Sequence, residues 1–326
     1  MKKIFITGGA GYVGSKLVPK LLESGYEVTV LDLMIYGENV LNDHKKLKKI
    51  KGDIRNKNLL EKIIPGHDVV LHLACISNDP SFELNPSLGK SINYDAFEPL
   101  VKVSVESKVN RFIYASSSSV YGIKKEKMVN ETMSLEPLTD YSKFKADCEK
   151  ILLKYQSDNF ITTIIRPATV CGYAPRQRLD VVVNILTNLA YNKREIKVFG
   201  GKQLRPNIHI SDMVNAYLNI LNSNAKLINN EIFNAGYENQ TVNELSSIVK
   251  SIIGEDVEVI KNHSDDNRSY HISSKKISDV LNFKAKHTIN EAVLDLKNAF
   301  ENKIFNNTLS NPEYFNIKKM QEISLK

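Results

Sequence analysis

The stretch TGGAGYVGS, residues 7–15, sits where one hydrophobic period gives way to another. Before it, KIFIT (3–7) is a short apolar run of β-forming residues. After it, YVGSKLVPKLLESG (12–25) carries Val13, Leu17, Leu21 and Leu22 at helical spacing, with Gly25 placed to cap the end. YEVTVLD (26–32) then reads as a second strand, closed by an acid. The glycines fit Gly9-x-Gly11-x-x-Gly14 and equally Gly8-x-x-Gly11-x-x-Gly14. Strand, glycine turn, helix and strand together predict a parallel βαβ unit with helices packed on the sheet.

The rest of the chain keeps that rhythm. GDIR (52–55) closes a third strand, and DVVLHLA (68–74), RFIYASS (111–117) and FITTIIR (160–166) read as further strands. Helical patterns lie between them, including 140–157. Beyond residue 167 the order changes. Residues 179–192 look helical, 208–223 begin as a strand and become a helix, 242–254 form a helix and 257–260 a strand. The expected fold is α/β: a doubly wound parallel sheet over residues 1–167 and a smaller mixed α/β lobe over 168–326, their elements interleaved. A chain of 326 residues is long enough for both cores. The polar, Asn-rich stretch 301–326 carries no periodic signal and is left unassigned.

The glycine turn has a chemical reading. Glycines let the backbone turn sharply and approach a pyrophosphate, whose charge meets the N-terminus of the following helix. Asp32 can accept hydrogen bonds from an adenosine ribose and would repel a 2′-phosphate, so NAD is expected rather than NADP. Asp53 is placed to meet the adenine, with the backbone of its stretch framing the ring. HLA (72–74) ends the fourth strand near the nicotinamide end, where His72 is expected to pack and hydrogen-bond rather than catalyse.

A second constellation follows. YSKFK (141–145) puts Tyr141 and Lys145 one helical turn apart on one face. A free tyrosine titrates near pH ~10, and a neighbouring ammonium favours the phenolate. Such a phenolate can take a hydroxyl proton while a hydride leaves the same carbon, turning a secondary alcohol into a ketone.

Other classes are disfavoured. Net charge is +7, but the lysines are scattered and only HKKLKK (44–49) is dense, so no nucleic-acid partner is expected. Cys75, Cys148 and Cys171 lack a CxxC pair, which predicts neither a disulfide framework nor a zinc site, but small buried side chains. No apolar run approaches the ~20 residues that span a bilayer, and the N-terminal apolar run breaks at Gly8, so a cytoplasmic protein without a membrane partner is expected.

These motifs, with YASSSSVYG (114–122), RPATVCG (166–172) and LRPNIHISDMV (204–214), occur in the order found in a known family. Over residues 3–300 the chain resembles the extended short-chain dehydrogenase/reductases, the sugar-nucleotide epimerase/dehydratase group. The resemblance implies a Rossmann-type NAD domain and a nucleotide-diphosphate sugar as substrate. It implies cofactor contacts at Gly8, Gly11, Tyr12, Val13, Gly14, Asp32, Asp53, Ile54, Leu73, Ala74, Tyr141, Lys145 and Pro167. It makes Tyr141, Lys145 and Ser117 catalytic, with Lys145 holding the cofactor ribose and lowering the tyrosine pKa. Ser117, Ser118, Asn184, Arg205 and Arg268 are the implied substrate contacts, the arginines suiting a diphosphate. Arg176 and Arg178 are expected to face the cleft, and His209 and Asp212 to hold a loop. In the dehydratase branches two acids follow the working hydroxyl; here Ser118 and Ser119 stand there, which argues against 4,6-dehydration. Thr169 and Cys171 depart from the common pattern and resemble a branch that includes 4-dehydrogenases of nucleotide-linked heptoses. The expected reaction is therefore oxidation at C4 giving epimerisation, with net 4-dehydrogenation (of a GDP-heptose, for example) or, further off, reduction as alternatives. The resemblance also implies a homodimer through helices 85–107 and 140–157.

Overall fold

The computed structural model describes residues 2–126, 128–263, 269 and 271–326. In chain order the strands are β1 Lys3–Thr7, β2 Glu27–Asp32, β3 Leu47–Lys51, β4 Val69–His72, β5 Arg111–Ala115, β6 Ile161–Pro167, β7 Thr169–Cys171, β8 Glu195–Phe199, β9 Leu204–His209, β10 Glu231–Ala235, β11 Glu238–Thr241 and β12 Glu258–Asn262. Seven form one parallel sheet in the order β10-β6-β5-β4-β1-β2-β3. The chain runs outward from β1 to β3, then crosses back to β4 on the other side of β1. That reversal leaves a crevice beyond the carboxyl ends of β1 and β4, where such sheets take their ligands.

The central strands are buried and rich in apolar residues because both faces are covered. Along β1, Ile4 and Ile6 enter one core while Phe5 enters the other. Along β5, Ile113 joins the first and Phe112 and Tyr114 the second. The first core lies under helices Gly14–Glu23 and Ile210–Asn222; the second lies under Lys57–Ile63, Phe97–Glu106 and Asp140–Lys154. A third core joins helices Val182–Lys193, Val242–Ile253 and Ile289–Glu301 to β8 and β12. The interleaving is extensive. β10 pairs with β6, helix Ile210–Asn222 covers the large sheet, and Met320 enters the second core. The unassigned stretch 301–326 contains a helix, Asn316–Glu322. Among the described residues no helix is long and apolar enough to cross a membrane.

Candidate active site

A cleft of about 530 Å³ opens at the crevice, within the range of ligand pockets. One end is the glycine turn. Gly8 has φ +75°, and a Cβ there would stand 2.5 Å from the Ala74 nitrogen, so the turn lies directly on the chain leaving β4. A Cβ on Gly14 would stand 2.4 Å from the Gly9 carbonyl oxygen, so the helix is seated hard against the turn. No side chain caps this helix at Val13, and while the Ser15 and Lys16 amides bond the Gly11 and Val13 carbonyls, the Gly14 amide at its start is left for an anion. Asp32 is preset by its own backbone: Oδ2 accepts from the Ala10 amide at 3.0 Å and Oδ1 from the Met34 amide at 2.8 Å. Burial pushes its carboxyl up, and those two amides pull back. Asp53 also faces the cleft, paired with Arg55 at 2.5 Å; burial would raise its carboxyl, but the Arg55 hydrogen bonds hold it below its ordinary value. Arg176 stacks on the Tyr36 ring at 3.5 Å, and its buried Nε has no partner. A cramped glycine turn, a helix start without a side-chain cap, and the Asp32 carboxylate and Arg176 guanidinium in the lining fit a dinucleotide.

The other end belongs to helix Asp140–Lys154. Thr139 caps it in a reciprocal arrangement with Ser142, placing Tyr141 in the first turn and Lys145 one turn on. Lys145 Nζ donates to the Ala115 carbonyl at 2.7 Å and lies 6.0 Å from the Tyr141 ring centre. The four serines part company here. Ser116 is buried and hydrogen-bonded to Glu149, which pairs with buried Arg166 at 2.6 Å. Ser117 lines the cleft beside Tyr141 and draws its phenol down, and its Oγ lies 2.8 Å from Ser119 Oγ. Ser118 lines the cleft. The electrostatics differ from the sequence expectation. Burial dominates and pushes the Tyr141 phenol well above its ordinary value, and Cys75 and Asp79 add to that; the guanidinium opposing it is Arg178's. Arg178 is fixed by Asp180 at 2.5 Å and Ser77 Oγ at 2.7 Å.

Of the residues expected at the cofactor, every one lines this cleft, as do Ser117, Ser118 and Arg205. Tyr12 also ties the two lobes: its hydroxyl donates to the Gly172 carbonyl at 2.5 Å. Asn184 does not line the cleft. It is fully buried, donates to Tyr12 Oη at 3.0 Å and the Arg178 carbonyl at 2.7 Å, and accepts from the Gly172 amide at 3.0 Å. Its amide is taken up in shaping the 172–178 loop, which is where the structure places this expected substrate contact. Arg268 lies outside the described residues. His72 is buried, bonded to Thr7 Oγ1 at 2.6 Å and stacked on Tyr114; burial pushes it down to about 3, so it is neutral. Asp212 accepts from the Lys286 and His287 amides, and His209 Nδ1 accepts from the Ser211 amide, so both hold loops. Cys148 and Cys171 are buried, whereas Cys75 is half-buried and lines the cleft. Sequence reasoning missed Tyr36, Ser77 and Asn316 in the lining. They lie in polar segments without periodicity, where no local signal marks them.

The fold and this cleft define an NAD-binding α/β enzyme of nucleotide-sugar chemistry. The family model for the NAD dependent epimerase/dehydratase family matches residues 4–236, and the chain belongs to that family. The UDP-glucose 4-epimerase of Lactobacillus helveticus is 28% identical over 308 residues, covering 87% of this chain and 92% of its own length. The crystal structure of UDP-glucose 4-epimerase from Thermotoga maritima with UDP-glucose has a TM-score of 0.83 and 26% identity, covering 93% of this chain and 100% of that one. MoeE5 in complex with UDP-glucuronic acid and NAD has a TM-score of 0.82 and 26% identity, covering 92% and 99%.

Proposed function

We propose that this enzyme oxidises C4 of a nucleotide-diphosphate sugar and returns the hydride to the opposite face, as a 4-epimerase of the UDP-glucose type. The observation that carries the reading is the meeting of Tyr141, Ser117 and Lys145 in the same cleft as the glycine turn. Bound NAD supplies a hydride acceptor and a positive ring. Ser117 holds the sugar hydroxyl by a hydrogen bond. Tyr141 Oη takes its proton as the C4 hydrogen departs with the bonding pair, leaving a ketone. The ketosugar turns over, the hydride returns to C4, and Tyr141 gives the proton back to the oxygen. Lys145, tied to the Ala115 carbonyl, presents its ammonium beside the tyrosine and the ribose. Arg205, lining the cleft from β9, suits the substrate diphosphate. At the positions of the dehydratase acids stand Ser118 and the hydroxyl of Ser119, which is held by Ser117; neither matches a tuned carboxylic acid as a proton carrier.

The test is turnover of UDP- and GDP-sugars by the pure protein, followed by sugar analysis and NADH absorbance. The 4-epimer without accumulating NADH is expected. Stoichiometric NADH with a ketosugar would instead make the enzyme a net 4-dehydrogenase. A homodimer through helices Phe97–Glu106 and Asp140–Lys154, which pack on the same core, is measured by sedimentation.

A further inference from the structure

Asn316 opens the helix Asn316–Glu322 and is 7% exposed. Its Oδ1 accepts from Tyr36 Oη at 2.7 Å and from Arg176 Nη2 at 2.7 Å. Its Nδ2 lies 3.3 Å from Ser77 Oγ, and its backbone N–H donates to Asp180 Oδ2 at 2.7 Å. These four partners stand on three different loops: after β2, after β4 and after β7. All three loops wall the dinucleotide cleft, and only this side chain among the described residues bonds to all of them. The same segment sends Met320 and Leu325 into the cleft lining. Further along, the Lys326 backbone oxygen takes a hydrogen bond from Arg55 at 2.8 Å, and Arg55 is the partner of Asp53. Residues 316–326 therefore run along the cleft from the end of β4 to the end of β3.

We propose that Asn316 is a clasp for the cofactor: it closes three loops over bound NAD and makes NAD release slow compared with turnover. The physical need is specific to hydride return. An enzyme that gives the hydride back to its own ketosugar has to keep the reduced cofactor through the ketone stage, whereas one that releases it needs an open mouth. The inference rests on the epimerase reading for its purpose, though not for its geometry. Asn316 lines the cleft and acts through Tyr36, Arg176 and Ser77, so it is a positioning residue. Asn316 also fixes the Arg176 guanidinium, which is stacked on Tyr36, by one nitrogen.

The experiment loads the full chain with NAD, removes excess by rapid gel filtration and measures the NAD still bound over time. Asn316→Ala is expected to release NAD about tenfold faster or more, because losses of this kind appear mainly in the off-rate. Tyr36→Phe, which removes one bond and keeps the stacked ring, is expected to release it at an intermediate rate. Thermal unfolding of the unliganded proteins is the control. If Asn316→Ala does not fold, Tyr36→Phe alone decides. Release from the folded variant at the wild-type rate overturns the clasp. A wild-type protein that holds NAD but forms no 4-epimer defeats the epimerase reading and leaves the clasp standing.

Discussion

At the β1–β2 end of the cleft the lining is the glycine turn and one carboxylate held by backbone amides, all within residues 8–34. At the Tyr141 end they are side chains delivered from far apart: Ser77, Ser117, Tyr141, Arg178 and Asn316. The first end binds because the backbone has no room for anything but glycine. The second acts because long-range hydrogen bonds aim single functional groups. Damage to the first end should therefore show in cofactor binding, and damage to the second in rate, pH dependence or cofactor exchange.

The sharpest break of that division is Tyr141→Phe. It removes the proposed proton acceptor and nothing from the glycine turn, so turnover should fall by about 10²–10⁴-fold, the size of general acid–base terms. Bound NAD, measured by fluorescence titration, should be unchanged. Turnover at the wild-type rate would remove Tyr141 from the chemistry. At the other end, Gly8→Ala places a methyl 2.5 Å from the Ala74 nitrogen at a φ of +75°. Strain of this kind costs about 1–3 kcal/mol, and NAD affinity should fall by about ten- to a hundredfold if the loss appears in binding. Unchanged NAD affinity would show that the turn tolerates what its geometry forbids.

The same contrast explains what could be read in advance. The glycine turn, Asp32 and the alternating strands lie within short stretches whose spacing is their geometry. Tyr141 and Lys145 were legible because a helical turn fixes their relation locally. The surroundings of Asn184 were not legible, since its family position near the diphosphate does not reveal that Tyr12, Gly172 and Arg178 take up its amide. Asn316 gave no signal at all, because its meaning depends on Tyr36, which is 280 positions away in the chain. The tyrosine's electrical surroundings were only half legible: the lysine four residues on was visible, whereas Arg178 reaches the site through the fold.

That last difference can be measured. If Tyr141 is the base, as proposed, it works when ionised, and the rate rises with pH through its pKa. Burial, then Cys75 and Asp79, hold that pKa up, and Arg178 holds it down. Arg178→Gln keeps donors for Ser77 but loses the charge, so the acidic limb of the kcat profile should move to higher pH. Loss of activity at the optimum with no displacement of the limb would leave Lys145 as the cation that matters.

The smallest expected effect tests the boundary between the two regions. Asn184 sits under the cleft wall with its amide bonded to Tyr12, Gly172 and Arg178. Asn184→Ala leaves the Gly172 amide without a partner, whereas the Arg178 carbonyl keeps the Gln177 side-chain amide, and a buried group left so costs about 1–3 kcal/mol. The midpoint of denaturant unfolding should fall accordingly. KM for the nucleotide sugar should stay within about twofold of wild type, since a contact absent from the cleft contributes nothing to substrate binding. A raised KM with undiminished stability would return Asn184 to the substrate, and would mean that the loop at 172–178 opens on binding.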